Sequence, residues 1–269
     1  FSSHTRDYNW LQRHIPSDAH AMLTDVTSAY AGINVQGPKS RELLQQVSPA
    51  DFSNNAFPFG TSKEIQLGYA TIRASRISYV GELGWELLIP SDMAAHVYET
   101  LVEAGKDLEL TNVGMHAMNS LRIEKAYRHW GHDIADEDTP IEAGLEFAVR
   151  FDKPGGFIGR EALLKQKESG LVAKRMVQFL MDDPEVMLYH NEPIIRDGIT
   201  CGYITSAMYG HTLGGSVGMG YLNNPLERGG VDSEFVNSGS YEIEVACKRY
   251  PAQASLEPLY DPNNGRIRM

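Results

Sequence analysis

Residues 79–86, with the sequence YVGELGWE, combine two acids, two aromatic side chains and two glycines in one short segment. Ile77 precedes this segment and the apolar run 87–89 follows it, so we expect a turn between two strands. Such a turn lets backbone and side chains converge on a planar polar ligand. The candidate ligand-binding residues are Tyr79, Glu82, Trp85 and Glu86.

A second polar segment covers residues 120–144. We expect Arg122 to form an ion pair with a buried acid such as Glu142, although a ligand contact for Arg122 stays open. The H-W-G-H-D sequence at 129–133 has two histidines and an aspartate at short spacing, but no distant residue is marked out as a further ligand. We therefore expect no metal site and interpret 129–133 as a loop that lines the ligand cavity.

A glycine-rich segment at 209–215, YGHTLGG, lacks both the G-x-G-x-x-G spacing and a following helix, which argues against a dinucleotide or P-loop site. Ser206 and His211 do not lie in a nucleophile-elbow motif, so we expect no serine hydrolase chemistry. Tyr209 and His211 remain second-rank candidates for ligand binding. Residues 261–266 are predicted to form a surface turn.

The composition limits the class of protein. The net charge of −11 argues against a nucleic-acid partner, because such partners need a basic surface. Cys201 and Cys247 are too few for a zinc site or a disulfide framework. No apolar run approaches the ~18 residues of a membrane span, and no signal peptide is visible. We expect a protein with no membrane partner, located in a bacterial cytoplasm or a mitochondrial matrix.

Hydrophobic periodicity predicts an α+β protein in two parts. Helices are expected at 7–14, 39–46, 93–104, 113–127 and from 160 to about 167. Strands are expected at 21–25, 30–35, 65–72, 74–79, 86–90, 174–180, 193–196, 200–205, 217–221 and 241–248. The evenly spaced strands after Gly170 predict a small antiparallel barrel or sandwich. The predicted division is a first domain at 1–155, a connector at 156–172 and a C-terminal β-barrel domain at 173–269.

Taken together, the 79–86 segment, the L-R-I-E-K sequence at 121–125 and the H-W-G-H-D sequence at 129–133 resemble the folate-binding aminomethyltransferase family. This family includes the glycine-cleavage T-protein and the C-terminal halves of dimethylglycine and sarcosine dehydrogenases. T-proteins have an arginine that helps to hold the folate tail at the position of Met118. This difference moves the resemblance toward the dehydrogenase-linked branch.

The resemblance implies a tetrahydrofolate site. In the family, the last acid of the Tyr-x-Gly-x-x-Gly-aromatic-Glu pattern accepts two N–H groups of the pterin ring, and this acid is Glu86 here. One carboxylate that accepts two donors is a stronger and more directional contact than a single bond. By the same resemblance Tyr79 packs against the folate, and Trp85, Glu82, Arg122, Tyr209 and His211 are expected near it.

The resemblance also implies a reaction. A flavin domain that holds FAD oxidises an N-methyl amine, and the folate domain captures the one-carbon unit as 5,10-methylenetetrahydrofolate. Because the sequence begins with Phe1 instead of Met, inside what is interpreted as a helix or a strand–helix junction, we expect it to be part of a longer protein. The family's catalytic aspartate and the flavin domain are expected in a preceding part, so no catalytic residue is assigned here and the isolated chain is expected to be impaired.

Three alternatives remain at this point. The chain is a glycine-cleavage aminomethyltransferase that acts on a lipoyl carrier protein, a non-catalytic folate-binding regulatory module, or a transferase that moves a methyl group from a sulfonium donor to folate. Met118 and the W-G-H sequence count against the first of these.

Overall fold

The computed structural model describes residues 3–269, which form two compact units. The first unit contains residues 3–77 and 84–110, and the second contains residues 78–83 and 111–269. Within the described residues, every helix is too short or too polar to traverse a lipid bilayer.

The first unit is built on a four-stranded antiparallel sheet with the strand order β1-β4-β3-β2. Its strands are β1 (Tyr30–Gln36), β2 (Ser62–Leu67), β3 (Ala70–Ser75) and β4 (Gly84–Pro90). Its helices are α1 (His4–Arg13), α2 (Ser40–Val47) and α3 (Ala94–Ala104). Successive strand residues point to opposite faces, and one face is buried while the other stays more accessible. Helices α2 and α3 contact β4.

The second unit contains a closed barrel with the strand order β10-β5-β8-β7-β6-β9, in which all neighbours are antiparallel. The strands are β5 (Lys174–Met181), β6 (Pro193–Arg196), β7 (Ile199–Gly210), β8 (Gly215–Asn223), β9 (Tyr241–Val245) and β10 (Lys248–Ser255). The helices are α4 (Met115–Glu124), α5 (Arg160–Ser169) and α6 (Ser233–Ser238). The α+β class is confirmed, and the choice between barrel and sandwich is decided in favour of the barrel.

Helix α4 packs on the barrel through a cluster of apolar side chains. Ile123 and Ala126 at the end of α4 pack with buried side chains of β5 and β8, including Met176, Val217 and Met219. Apolar burial of this kind is the main source of helix stability in a folded protein. It fixes the helix that carries the L-R-I-E-K sequence against the barrel wall.

In the first unit one predicted strand is absent, and one predicted hairpin is present with its turn at a different position. Residues 21–25 form no strand, and the predicted pair 65–72 and 74–79 is in fact β2 and β3, joined at Gly68 and Tyr69. The core-facing positions Leu67 and Ala70 lie on either side of this turn and pair with each other, so the apolar pattern runs across it. Periodicity therefore placed the turn several residues too late.

The predicted single strand 241–248 was also wrong, because two strands, β9 and β10, occupy this part of the chain. The turn between them consists of Ala246 and Cys247, whose φ angles are 49° and 63°. Both residues adopt the left-handed conformation that two-residue hairpin turns require, which Asn-Gly sequences favour. The Ala-Cys pair carries no such signal, so the turn was not recognised.

Candidate folate-binding residues

Glu86 lies on β4, in the middle of the accessible face of the first unit's sheet. Its neighbours across the strands are Asn34 on β1 and Ser75 on β3. The Glu86 side chain is half-buried, and no group among residues 3–269 donates a hydrogen bond to it or forms an ion pair with it. Burial raises the pKa of this carboxyl above its usual value. A half-buried carboxylate with unused acceptor capacity fits a ligand that supplies N–H donors.

Trp85 points to the opposite face of the same strand. Its side chain is fully buried, in edge contact with the rings of Phe52 and Phe57. The guanidinium groups of Arg41 and Arg76 lie 5.8 and 5.6 Å from its ring centroid. This environment leaves no accessible ring face in the unit, so we assign Trp85 to the core in place of the predicted ligand contact. The alternation of a strand makes Trp85 and Glu86 face opposite sides.

The remaining predicted residues lie in the second unit, where Tyr79 and Glu82 belong to the segment 78–83. The Tyr79 hydroxyl donates to the carbonyl of Arg128 at 3.0 Å, and its ring stacks on Tyr127 with centroids 6.1 Å apart. Burial raises the pKa of Tyr79. Glu82 accepts a hydrogen bond of 2.6 Å from the hydroxyl of Tyr260. Both residues are half-buried, so the segment is held by side chains distant in sequence.

Arg122 forms its ion pair with Asp133, and the prediction that Glu142 is its partner was wrong. The Arg122 Nη1 atom lies 2.6 Å from Asp133 Oδ2, and the two side chains are 3% and 0% exposed. Glu142 instead accepts a hydrogen bond of 3.0 Å from the backbone N–H of Thr139, which lies three residues earlier in the chain. With its charge neutralised inside the protein, Arg122 is better explained as a residue that holds the structure than as a folate ligand.

Asp133 uses both carboxylate oxygens. Besides Arg122, it accepts from the His129 backbone N–H at 2.8 Å and from the Thr205 hydroxyl at 2.6 Å. These bonds connect α4, the 129–133 loop and strand β7 of the barrel. Among residues 3–269 no group of three or more His, Cys, Asp or Glu side chains is arranged to hold a metal ion.

Tyr209 and His211 lie at the end of β7 and in the turn after it. Their rings are in edge contact, with centroids 5.2 Å apart. Buried Glu124 of α4 holds this turn by accepting from the backbone N–H groups of Thr212 and Leu213 at 2.7 and 2.9 Å. The Ser120 hydroxyl donates to the Tyr209 carbonyl at 2.7 Å. Tyr209 stays half-buried and His211 exposed, so both side chains remain accessible.

Sequence reasoning missed Lys125 and Tyr260. The Lys125 side chain is fully buried, and its ammonium group bonds to the carbonyl of Asp261. The segment 261–266 was predicted to be a surface turn; four of its six residues are exposed, and Asp261 and Asn264 are half-buried. Lys125 follows the last residue of α4, where the helix dipole favours a cation, but no sequence pattern indicates that its side chain is buried.

A crystal structure of the glycine cleavage system aminomethyltransferase T from Bartonella henselae matches 97% of this chain and 67% of that protein, with a TM-score of 0.77 and 23% identity. At this identity the match establishes the fold, which defines the chain as an aminomethyltransferase-like α+β protein with a C-terminal barrel.

Residues 1–153 match the GCVT N-terminal domain, and residues 174–261 match the glycine cleavage T-protein C-terminal barrel domain. The chain belongs to the glycine cleavage T-protein family. The resemblance inferred from the 79–86 and 121–133 motifs is thereby confirmed.

Three curated relatives extend the comparison. A 4-methylaminobutanoate oxidase (formaldehyde-forming) from Paenarthrobacter nicotinovorans is 44% identical over 92% of this chain and 29% of its own length. The mitochondrial sarcosine dehydrogenase of Homo sapiens is 42% identical over 93% and 27%. The mitochondrial pyruvate dehydrogenase phosphatase regulatory subunit of Mus musculus is 39% identical over 93% and 29%. The chain thus spans less than a third of these relatives.

Proposed function

We propose that this chain is a tetrahydrofolate-binding module that captures a one-carbon unit from an oxidised N-methyl amine, giving 5,10-methylenetetrahydrofolate. The observation that carries the proposal is Glu86, a half-buried carboxylate that accepts no hydrogen bond within the described chain. A half-buried carboxylate that the protein itself does not bond can accept N–H donors of a ligand, and such charge-assisted contacts are stronger than neutral ones.

Two relatives support the type of reaction. Sarcosine dehydrogenase and 4-methylaminobutanoate oxidase are both named for substrates that carry an N-methylamino group. We propose the same class of substrate for the longer protein, with FAD in a separate flavin domain that performs the oxidation. Because two relatives are named as mitochondrial, a mitochondrial matrix or a bacterial cytoplasm remains our proposed location.

The residues present fit a folate. We assign Glu86 to two adjacent N–H donors of the pterin ring, since one carboxylate can accept both. Within the second unit, taken by itself, Tyr79 and Glu82 supply a ring and an acceptor oxygen in the 78–83 segment, and Tyr209 and His211 are further accessible candidates. When bound, tetrahydrofolate supplies the nitrogen atoms that carry the one-carbon unit.

A second candidate is a non-catalytic folate-binding regulatory module. The observation that favours it is the relative named as a phosphatase regulatory subunit, which is as extensively matched as the two oxidising enzymes. Folate binding through Glu86 is common to both proposals. They differ in whether the longer protein that contains this chain accelerates the formation of methylenetetrahydrofolate from an N-methyl amine, which the absorbance change of the folate reports.

Calorimetric titration with tetrahydrofolate tests the shared part. Glu86→Gln is expected to weaken binding by about 2 kcal/mol, or roughly 30-fold, because a charge-assisted contact is lost. Glu64→Gln is the matched control, since Glu64 is an exposed acid on β2 of the same sheet. Equal affinity in Glu86→Gln and wild type would remove Glu86 from this role. Absence of binding by the wild-type chain would overturn the proposal for this chain.

A further inference from the structure

The segment 259–266 near the C-terminus is anchored to the end of helix α4. The Leu259 N–H donates to Gln178 Oε1 at 2.8 Å, and Gln178 in turn donates from Nε2 to the carbonyls of Ile123 and Glu124 at 2.7 and 3.0 Å. The Tyr260 N–H donates to the Glu124 carbonyl at 3.3 Å. The Ile123 carbonyl also accepts from the Ala126 N–H at 2.9 Å. The Glu124 carbonyl at the end of the helix accepts from Gln178 and from Tyr260, so the segment contributes to capping the helix through Glu124.

Asp261 is the second anchor. The ammonium group of buried Lys125 bonds to its carbonyl and lies 3.4 Å from its carboxylate. The same carboxylate accepts from the N–H groups of Gly265 and Arg266 at 2.8 and 3.0 Å, which closes the turn on itself. An ammonium group in the interior needs such partners, because an unpaired buried charge is strongly unfavourable. Lys125 and the turn therefore hold each other in place.

Lys125 and Tyr260 both contact the segment 78–83, which contains two of the predicted folate-binding residues, Tyr79 and Glu82. Gly81 has a φ of +76° and packs on the aliphatic stem of Lys125, where a Cβ atom would lie 3.1 Å from Lys125 Cγ. Tyr260 donates its hydroxyl to Glu82 Oε1 at 2.6 Å. Burial, with Glu82 beside it, raises the pKa of Tyr260 to about 12, so the hydroxyl keeps its proton at neutral pH. The segment is thus held at two successive residues.

Glu82 has further capacity to accept hydrogen bonds. Tyr260 is its sole hydrogen-bond donor among residues 3–269, and it bonds to Oε1, which leaves Oε2 without a donor from the described chain. The side chain is half-buried. A hydrogen bond to one oxygen fixes the carboxylate plane and so determines the direction of the other oxygen.

We propose that residues 259–266, the C-terminal brace, are a positioning element for ligand binding, in which Tyr260 orients Glu82 so that its second oxygen accepts an N–H or O–H donor of the ligand. The contact between Lys125 and Asp261 holds the brace in place, and the stem of Lys125 packs against Gly81. The identity of the ligand as a folate rests on the proposed function. The proposal that the brace orders residues 79–83 does not depend on the identity of the ligand.

The test uses Tyr260→Phe, which removes a single hydroxyl, in the full chain. Tyr241→Phe is the matched control, because it removes a tyrosine hydroxyl that donates to the Val236 carbonyl at 2.8 Å elsewhere in the barrel. We expect hydrogen exchange of amides 79–83 to accelerate in Tyr260→Phe and to stay unchanged in Tyr241→Phe. Tetrahydrofolate affinity is expected to fall about tenfold in Tyr260→Phe alone, the effect of losing one hydrogen bond to a charged group.

A double-mutant cycle separates positioning from general stabilisation. If Tyr260 acts through Glu82, Tyr260→Phe has little further effect on affinity in a Glu82→Gln background, whereas independent effects would multiply. Multiplying effects, or unchanged exchange and unchanged affinity in Tyr260→Phe, would overturn the proposal.

The outcome also separates this proposal from the preceding one. Affinity that falls in Glu86→Gln but not in Tyr260→Phe would refute the brace and leave folate binding intact. Absence of folate binding in the wild type would refute the folate assignment, and the exchange of amides 79–83 would still decide whether the brace orders the segment.

Discussion

Asp133→Asn removes the negative charge from the buried pair with Arg122 while it nearly preserves the shape of the side chain. Arg122 and Asp133 are 3% and 0% exposed, so water cannot replace the lost charge. Removal of one partner from a buried ion pair typically costs about 3–5 kcal/mol. Arg122 keeps its bonds to the Tyr127 carbonyl and Asn119 at 3.0 and 3.3 Å, which places the expected loss near the lower end, about 3 kcal/mol.

Because the chain has two compact units, global unfolding need not follow a single transition. Hydrogen exchange of α4 peptides in increasing urea is therefore the appropriate assay, and protection of α4 is expected to fall by roughly 100-fold, the equivalent of this loss in free energy. Glu146→Gln is the control. It breaks a pair with Lys167 of similar length, 2.7 Å, in which both side chains are accessible at 39% and 49%.

The control is expected to cost less than about 1 kcal/mol, as exposed pairs do. A loss in Asp133→Asn no larger than that of the control would refute the reasoning that burial makes this pair important. The Thr205 hydroxyl, which donates to Asp133 Oδ1, is the one partner that can rotate to bond an asparagine amide. If the Thr205 hydroxyl bonds the asparagine amide, Thr205→Val in the Asp133→Asn background removes that bond and lowers the stability of the Asp133→Asn variant further.

Two further predictions concern the pH dependence of stability at Glu86 and the close packing of backbone against backbone at Gly202. Burial raises the pKa of Glu86 in the folded protein, because it disfavours the ionised carboxylate. Below the unfolded-state pKa of about 4 the side chain is protonated in both states and burial has no electrostatic cost. The free energy of unfolding then decreases as the pH rises through the folded-state pKa of Glu86. Glu86→Gln is therefore expected to melt above wild type at pH 7 and close to it at pH 3; an unchanged or lower melting temperature at pH 7 would contradict the assigned burial. At Gly202 a Cβ atom would lie 1.8 Å from the Tyr221 carbonyl oxygen on the adjacent strand β8, whereas nothing lies within 4 Å of one at Gly32. Gly202→Ala is expected to lower the barrel's stability by more than about 2 kcal/mol and Gly32→Ala by less than about 1 kcal/mol, and similar melting temperatures would disprove the close approach.

The sequence by itself determined the features that depend on neighbours along the chain. The apolar run 87–89 was enough to predict a strand after the 79–86 segment, but the predicted strand began at Glu86 and left Trp85 in the turn. Only the structure, in which the strand begins at Gly84, places Trp85 and Glu86 on opposite faces. The spaced glycines and acids of 79–86 and the sequence of 121–133 were sufficient to indicate the family, because such motifs preserve local geometry at a site. Regular strand spacing after Gly170 predicted the small antiparallel β-domain.

Only the tertiary structure decided the partners of buried charges. Asp133 and Glu142 are equally acidic in the sequence, and Arg122 pairs with Asp133 because the loop 129–133 folds back on the end of α4. Lys125 and Asp261 are 136 residues apart, and Glu82 and Tyr260 are 178 residues apart. Contacts across such separations form when the barrel and helix bury apolar surface together, and no local periodicity encodes which polar groups then meet. The fold thus turns a segment predicted to be a surface turn into the support of the 78–83 turn.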